Sequence, residues 1–170
     1  AERGVHIAHC PQSNLKLASG FCPVEALRTA GVNLAIGTDG CASNNDLDMF
    51  EETRHAALLA KAVAGDARAL DASAALEAAT LAGAKALGRD DEIGSIEAGK
   101  QADLALVDLG ELELQPLYHV VSHLVYVATR HQVSDVWIAG RPKLRDRRLV
   151  DIDADALKAK AKQWARRIAD

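Results

Sequence analysis

The sequence has 170 residues, of which 49% are hydrophobic and 26% are charged, as in ordinary globular proteins. This length is within the size of one domain and is long enough to bury a sizeable core. The net charge of −4 gives no electrostatic footprint for nucleic acid or for an anionic membrane surface. No apolar run reaches the length of a transmembrane helix. We therefore expect neither nucleic acid nor a membrane among the partners.

Cysteine usage indicates the compartment. The three cysteines, Cys10, Cys22 and Cys41, are an odd number and lack CxxC spacing. This pattern favours reduced thiols over a disulfide framework or a zinc knuckle. It predicts a cytoplasmic protein.

The first part of the chain predicts a βαβ unit. Residues 5–9 alternate apolar and polar side chains, which predicts a strand, and residues 10–20 are predicted as a loop that contains Pro11. A short helix at 24–30 and a second strand at 32–37 complete a parallel pair with a right-handed crossover. Residues 1–4 are predicted as the end of a helix, so we expect the chain to begin within a fold.

Helices dominate the next stretch, and strands follow. One helix is predicted from Leu47 to Ala64 with Asp46 as its cap, and a second from Asp71 or Ala72 to Leu87. The remaining predicted elements are strands at 102–108, 133–138 and 143–150, a helical or irregular segment at 120–128, and an amphipathic helix at 154–169. Leu157 and Trp164 are expected to pack that last helix against the fold.

A change of composition near residues 89–92 predicts the domain organisation. Residues 1–90 would form a β/α part and residues 91–150 a small β part. Residues 151–170 would add the C-terminal helix.

Asp39 is the first candidate functional residue. It follows the predicted strand at 32–37 within Gly37-Thr38-Asp39-Gly40. In parallel β/α architectures the carboxyl ends of the strands carry the chemistry, because the loops there are free of core duty. A carboxylate is costly to bury unless it is paired, hydrogen-bonded or bound to a metal. From this stretch alone, a metal ligand and an ordinary turn aspartate both remain open.

Three motifs resemble those of a known family. They are His9-Cys10-Pro11-Gln12-Ser13-Asn14-Leu15-Lys16-Leu17-Ala18-Ser19-Gly20, Gly37-Thr38-Asp39-Gly40 and Ser43-Asn44-Asn45-Asp46-Leu47-Asp48-Met49. Segments 94–104 and 121–126 continue the likeness in the same order. Over nearly its whole length the chain resembles the amidohydrolase superfamily. Within it, the chain is similar to the 5-methylthioadenosine/S-adenosylhomocysteine deaminases and their triazine-hydrolase relatives.

The resemblance implies an α/β fold that is the C-terminal part of a (β/α)8 TIM-type barrel, joined to strands of a small β-sandwich. Residues 5–9 would be the seventh barrel strand, residues 32–37 the eighth, and the sheet from 103 onward part of the sandwich. The histidine ligands and the catalytic glutamate of the family have no counterpart here. We expect them upstream of Ala1, on an N-terminal remainder of the barrel, since two parallel strands cannot close one.

For Asp39 the resemblance implies three roles: metal ligand, catalytic proton acceptor and substrate contact. The implied cofactor is one divalent metal, zinc in the first place, with iron, manganese and nickel as alternatives. In the complete enzyme the metal would make hydroxide available near neutral pH for attack on the purine C6. Asp39 would accept the proton and help pass one to the leaving amine, giving ammonia and a 6-oxo purine.

Neighbouring residues on the same two loops are the remaining site candidates. Ser43 and Asn14 are predicted substrate contacts, and the alternative for each is a hydrogen bond within its own loop. His9 is predicted to hold a metal ligand or the loop after the strand in place through a hydrogen bond, and not to bind the metal itself. Cys41 is expected to be a small buried filler, because no histidine base is visible beside it.

Three functions remain open at this point. The first is metal-dependent deamination of an adenosine-type nucleoside. The second keeps the fold and changes the reaction to that of a triazine-type chlorohydrolase, or of a guanine or other aminohydrolase. The third is an inactive fragment or a complementing half that only binds a partner chain. The expected partners are a small purine nucleoside and the N-terminal remainder of the barrel, and a homo-oligomer stays open.

Overall fold

The computed structural model describes residues 3–169, so the helix end expected at Ala1 and Glu2 lies outside the described residues. In chain order the elements are β1 (His6–His9), α1 (Pro11–Lys16), α2 (Val24–Thr29), β2 (Asn33–Ile36), α3 (Met49–Ala64), α4 (Ala72–Ala79), α5 (Leu81–Ala86), β3 (Leu104–Val107), α6 (Val120–Tyr126), β4 (Val133–Ile138), β5 (Arg141–Arg145), β6 (Arg148–Leu149) and α7 (Ala154–Ala169). Two 3-10 helices lie at Leu112–Leu114 and Arg130–Gln132.

The first two strands form the predicted parallel pair, with His9 opposite Ile36. The Gly37 N–H donates to the His9 carbonyl at 3.0 Å, so both strands end at the same edge. The loop predicted at 10–20 is wrong in its first half, because α1 occupies it. Pro11 stands in the first turn of α1, where its missing N–H has no helical partner to lose.

The helix that follows β2 begins later than predicted. Its cap is Asp48 and not Asp46, since the Asp48 carboxylate accepts the Phe50 N–H at 2.8 Å. Gly65 ends α3 in the left-handed conformation, with φ of 64°.

The second predicted helix is two helices. Asp71 caps α4 by accepting the Ala74 N–H at 3.0 Å. At Thr80 the backbone leaves the helical region, with φ of −128° and ψ of −90°. The Thr80 hydroxyl donates to the Leu76 carbonyl at 2.7 Å, and α5 starts at the next residue. A β-branched residue that bonds back to the preceding turn is a common place for a helix to bend.

The core lies between β2 and the helices. Its buried members include Val24, Leu34, Ile36, Ala56, Ala57, Ala60, Leu70, Ala75, Ala78 and Val125. The segment predicted as helical or irregular is helix α6, and its Val125 joins this core. Arg54 of α3 donates to the carbonyls of Val125 and Ala128, at 3.4 and 2.6 Å, and so fixes the end of α6 on α3.

A four-stranded antiparallel sheet, in the order β3-β4-β5-β6, follows in the chain. Two-residue turns at Ala139-Gly140 and Asp146-Arg147 join its last three strands, and all four turn residues have positive φ. This is the conformation of type I′ hairpins. The strand predicted at 143–150 is therefore two strands. Within residues 3–169 no residue of these four strands is fully buried, so this layer lacks a cover.

The last helix, α7, is capped as expected, since the Asp153 carboxylate accepts the Ala156 N–H at 3.0 Å. The expected packing of Leu157 and Trp164 is wrong, because they are 54% and 49% exposed. The amphipathic pattern of α7 is present, but no element within residues 3–169 covers its apolar side. Across the same residues, the structure contains no helix of the length and apolar character that a membrane crossing requires.

Candidate active site

Asp39 lies just beyond the end of β2, at the edge where both parallel strands stop. Its φ is 58°, in the left-handed region, which aspartate tolerates better than most residues. The prediction assumed a buried carboxylate, and in this respect it is wrong, because Asp39 is exposed in the described chain. The edge is open there, since no other segment among residues 3–169 lies over it.

Two serine hydroxyls converge on one oxygen of this carboxylate. Ser13 Oγ donates to Asp39 Oδ2 at 2.8 Å, and Ser43 Oγ donates to the same atom at 2.7 Å. Among the described residues, no side chain donates to Oδ1 of Asp39. One oxygen is thus held from α1 and from the loop after β2, and the other has no side-chain donor among residues 3–169.

These contacts also set the charge of Asp39. The hydroxyls of Ser43 and Ser13, with the Gly40 N–H, lower the pKa of the Asp39 carboxyl below its usual value. Hydrogen bonds within the chain already favour the anion that a metal ligand or a proton acceptor requires.

The sequence analysis missed a second carboxylate, Glu52, in the first turn of α3. Its side chain is fully buried. The Gln12 backbone N–H donates to Glu52 Oε2 at 3.3 Å, and Asn44 Nδ2 donates to Oε1. The Leu47 N–H donates to Asn44 Oδ1 at 3.1 Å, which fixes the orientation of that amide. Glu52 therefore joins the loop after β1 to the loop after β2.

A signal for Glu52 was present in the sequence. Glu52, Ala56 and Ala60 are spaced by four residues, so they lie on one face of α3, and both alanines are buried. A charged residue on the buried face of a helix requires partners. Glu52 also lies in the first turn of α3, where the positive end of the helix dipole favours a negative charge.

The loop after β2 is held from two further directions. Lys16 Nζ donates to the Ala42 carbonyl at 2.7 Å and to Asn45 Oδ1 at 2.6 Å. Arg130 Nη1 donates to the Asp46 carbonyl at 3.0 Å, from the part of the chain that carries the sheet. The loop that presents Ser43 is therefore attached to α1, to α3 and to the Arg130–Gln132 segment.

His9 and Asn14 lie apart from this cluster. Together with Phe21 and Leu59 they line a cavity of about 10 Å³ between the end of β1 and α3. His9 is 4% exposed, and its Nε2 has no hydrogen-bond partner among the described residues. Burial lowers the pKa of His9, so its imidazole is neutral near pH 7. The supporting role of His9 and the substrate contact of Asn14 both stay predictions.

The cysteines offer no activated nucleophile. Burial raises the pKa of the Cys10 thiol, and the negative charges of Asp39 and Glu52 raise it further. Because the thiolate is the reactive form, Cys10 is poorly reactive near pH 7. Cys41 is exposed, so the expectation of a small buried filler is wrong.

Asp39 fits a metal ion as one ligand of a larger set. The described residues contain no group of three or more His, Cys, Asp or Glu side chains placed to hold a metal. An anionic, exposed carboxylate with one oxygen fixed by hydroxyls can still supply one bond. Among residues 3–169, Asp39 is therefore one carboxylate without the companion ligands that a metal site needs.

The chain is similar to known proteins over most of its length. A profile described as the amidohydrolase family matches residues 1–143. The chain is 52% identical, over 99% of its length, to a 5-methylthioadenosine/S-adenosylhomocysteine deaminase of Teredinibacter turnerae, and it spans 38% of that protein.

Two solved structures share the fold. One is an adenosine deaminase from Xanthomonas campestris with bound zinc, which is 70% identical with a TM-score of 0.97, over 99% of this chain and 38% of that one. The other is the atrazine chlorohydrolase TrzN from Arthrobacter aurescens complexed with zinc, at 27% identity and a TM-score of 0.88, over 95% of this chain and 36% of that one. The chain thus spans somewhat more than a third of these relatives, and it belongs to the amidohydrolase family.

Proposed function

We propose that this chain is the C-terminal portion of a metal-dependent deaminase that hydrolyses 5-methylthioadenosine or S-adenosylhomocysteine to the inosine analogue and ammonia. The name of the relative that is 52% identical over 99% of the chain supports this substrate class. On this proposal β1 and β2 are the seventh and eighth strands of a (β/α)8 barrel. The strands β3 to β6 form part of a sandwich whose other residues come from outside these 170.

The observation that carries the proposal is the state of Asp39. A carboxylate at the carboxyl end of a parallel strand, with Oδ2 held by Ser13 and Ser43, is prepared to act through its other oxygen. In the complete protein Asp39 would bind the metal and contact the substrate. The exposed edge around Asp39 is where the remaining ligands would approach.

The bound metal, for which the zinc in two similar structures is the precedent, supplies a water with a lowered pKa. The chain's own contribution is to handle protons. An acid from outside these 170 residues would protonate the purine ring nitrogen as the hydroxide adds to C6. Asp39, kept anionic by its serine donors, would accept the proton of that added hydroxide and pass it to the amine, so that the C6–N bond breaks, ammonia leaves and the 6-oxo group forms. Ser43 is further proposed to contact the substrate, since it lies beside Asp39 on the same edge.

Asn14 and His9 are proposed to assist Asp39 without taking part in proton transfer. Asn14 would contact the substrate from the loop after β1, and His9 would support that loop. Because burial keeps His9 neutral and its Nε2 lacks a partner in residues 3–169, it can accept a hydrogen bond from a group outside them. The free cysteines are consistent with a cytoplasmic location.

A substrate panel tests the reaction. The full-length protein that contains this segment, loaded with zinc, is assayed for ammonia from 5-methylthioadenosine, S-adenosylhomocysteine and guanine, and for chloride from atrazine. We expect kcat/KM for the two adenosine-type substrates to exceed that for guanine and atrazine by more than about a hundredfold, the size of discrimination that polar contacts to a substrate provide. Turnover of guanine or atrazine without turnover of the nucleosides would reject the proposed substrate.

The isolated 170 residues provide the second arm. Because they supply one metal ligand, we expect them to bind no stoichiometric zinc and to release no ammonia. Activity of the segment alone would contradict the claim that it is a portion of the site. Inactivity of the full-length, zinc-loaded protein toward every member of the panel would favour a non-enzymatic role.

A further inference from the structure

The segments that follow β1 (residues 10–17, which include α1) and β2 (residues 37–48) are called the rim loops here. We propose that Glu52 is a positioning residue of the metal site, which ties both rim loops to α3 and so holds Ser13 and Ser43 on Asp39. This inference rests on the proposed function, since it concerns the same site. Glu52 touches neither Asp39 nor the exposed edge. It acts through the backbone of the two loops.

The two carboxylates share the same two loops in adjacent residues. Gln12 donates to Glu52, and the next residue, Ser13, donates to Asp39. On the other loop Ser43 donates to Asp39, and the next residue, Asn44, donates to Glu52. Each loop therefore spans an exposed carboxylate and a buried one. Fixing the buried end fixes where the serine hydroxyl points.

The chemistry of Glu52 suits this task. Both of its oxygens accept hydrogen bonds, from a backbone N–H that cannot change its role and from an amide whose orientation the Leu47 N–H sets. A carboxylate accepts at both oxygens, whereas a glutamine accepts at one. The start of α3 further favours a negative charge there, and Glu52 is fully buried, so water cannot replace a lost partner.

The test substitutes Glu52→Gln in the full-length protein. This change keeps the shape and leaves one of the two donors facing an N–H group. We expect kcat to fall roughly 10- to 100-fold and the zinc affinity, measured by chelator competition, to fall by a similar factor. KM should change little, because Glu52 does not reach the substrate side.

A readout without metal separates positioning from catalysis. In the metal-free protein, amide hydrogen exchange of the peptides that cover residues 11–17 and 40–47 should accelerate together in the Glu52→Gln variant. Exchange in the β4–β5 hairpin should stay at the wild-type rate.

Two control variants frame the result. Glu77→Gln makes the same chemical change on the exposed side of α4 and should match wild type in kcat and zinc affinity. Ala57→Gly weakens α3 from within its buried face, away from the rim. It should lower the melting temperature and leave kcat and exchange in the rim loops near their wild-type values.

A double-mutant cycle tests whether Glu52 affects activity through Ser13 and Ser43. If Glu52 acts through the serines, Glu52→Gln added to the Ser13→Ala, Ser43→Ala double variant should cost less than about threefold more, because coupled residues are not additive. Should Glu52→Gln fail to fold, Asn44→Ala removes one arm of the bridge, keeps Glu52 and should give the same pattern.

The inference is overturned if Glu52→Gln keeps wild-type kcat and zinc affinity, or if it loses them no more than an equally destabilised Ala57→Gly protein. An inactive wild-type protein would instead reject the proposed function. The two failures are therefore distinguishable.

Discussion

The β/α part and the sheet part of this chain differ in the range of their contacts and in the burial of their residues. In the β/α part, polar side chains bridge residues far apart in sequence, as Ser13 does to Asp39, and apolar side chains close a core. In the sheet part the strands β3 to β6 pair with one another by hairpin turns, and no strand residue is fully buried. Asp39, Ser13, Ser43 and Glu52 all lie in the first part.

This difference places the candidate site residues in the part with the buried core, and leaves the sheet without a buried strand residue among residues 3–169. A sheet with no buried strand residue gains little from the hydrophobic effect, which is proportional to the apolar area removed from water. The rim of the β/α part is instead specified by hydrogen bonds within the chain. We expect substitutions at the rim to affect activity first, and substitutions elsewhere to affect stability or nothing.

The largest effect is expected at Asp39. On the proposed function, Asp39→Asn would remove the proton acceptor and weaken a metal ligand, so kcat of the full-length protein should fall by roughly 10²- to 10⁴-fold. Steady-state ammonia release measures this change, with the melting temperature as a check on folding. If activity survives within a factor of about three, Asp39 is not the acceptor.

Single serine variants come next. Ser13→Ala and Ser43→Ala each remove one donor from Asp39 Oδ2, at 2.8 and 2.7 Å, and each should reduce kcat by roughly tenfold. Ser19→Ala, in the same motif and without a side-chain contact to Asp39, is the matched control and should keep wild-type kcat. If Ser13→Ala and Ser43→Ala had the same kcat as Ser19→Ala, the hydrogen bonds from Ser13 and Ser43 to Asp39 would not contribute to activity.

The junction between the two parts gives the clearest effect on stability. A Cβ at Gly94 would lie 2.6 Å from Ala84 Cβ and 3.0 Å from Leu81 Cα, and φ there is +91°. Gly94→Ala should lower the free energy of unfolding by about 2–4 kcal/mol, from overpacking and left-handed strain.

Gly99→Ala is the matched control for that change. Gly99 has a φ of +96°, but a Cβ there would meet nothing within 4 Å, so only the strain of about 1–2 kcal/mol applies. Urea unfolding of both variants isolates the clash. Identical losses would mean that α5 and the Gly94 turn are not in contact in the complete protein.

A smaller effect is the pH dependence that Glu52 introduces. Burial raises the pKa of Glu52 above its ordinary value of 4.5. A raised carboxyl pKa gives stability that is present below 4.5 and is lost as the pH rises through the folded pKa. As the pH rises from 4.5 through the folded pKa of Glu52, the free energy of unfolding of the wild type should therefore fall relative to that of Glu52→Gln. The urea midpoints of both proteins, measured across this pH range, give the difference in stability between them. If the wild type gained stability over Glu52→Gln as the pH rose, the raised pKa of Glu52 would be contradicted.

The smallest effect is expected on α7. Lys158 and Asp155 form an ion pair at 3.2 Å with side chains that are 72% and 94% exposed. Lys158→Ala should change the free energy of unfolding by less than about 0.5 kcal/mol. A loss above about 1 kcal/mol would show that another segment covers α7 in the complete protein.

The sequence predicted the parallel pair β1–β2 and the place of Asp39 just after β2 because both depend on local signals. Alternation of apolar residues marks β1, and a buried run followed by Gly37 marks the end of β2. The break at Thr80 and the start of α3 at Asp48 escaped prediction, since more than one nearby residue could cap or interrupt a helix at each place.

The site was predictable in part for a physical reason. Asp39 and Ser13 both stand in recognisable motifs, but the contact of Ser13 with Asp39 spans 26 residues of sequence and that of Glu52 with Gln12 spans 40. Such contacts depend on how α1, α3 and the two strands pack. A local sequence pattern does not show which elements will pack together. The exposure of Trp164 failed prediction likewise, because an amphipathic pattern shows which face is apolar and not what covers it.

Anomalous X-ray diffraction at the zinc edge, from crystals of the full-length zinc-loaded protein, tests the central claim most directly. We predict one zinc peak bonded to Asp39 Oδ1, with Oδ2 still accepting hydrogen bonds from Ser13 and Ser43. A zinc ion bound elsewhere, or one that leaves Asp39 without a bond to the metal, would contradict the account.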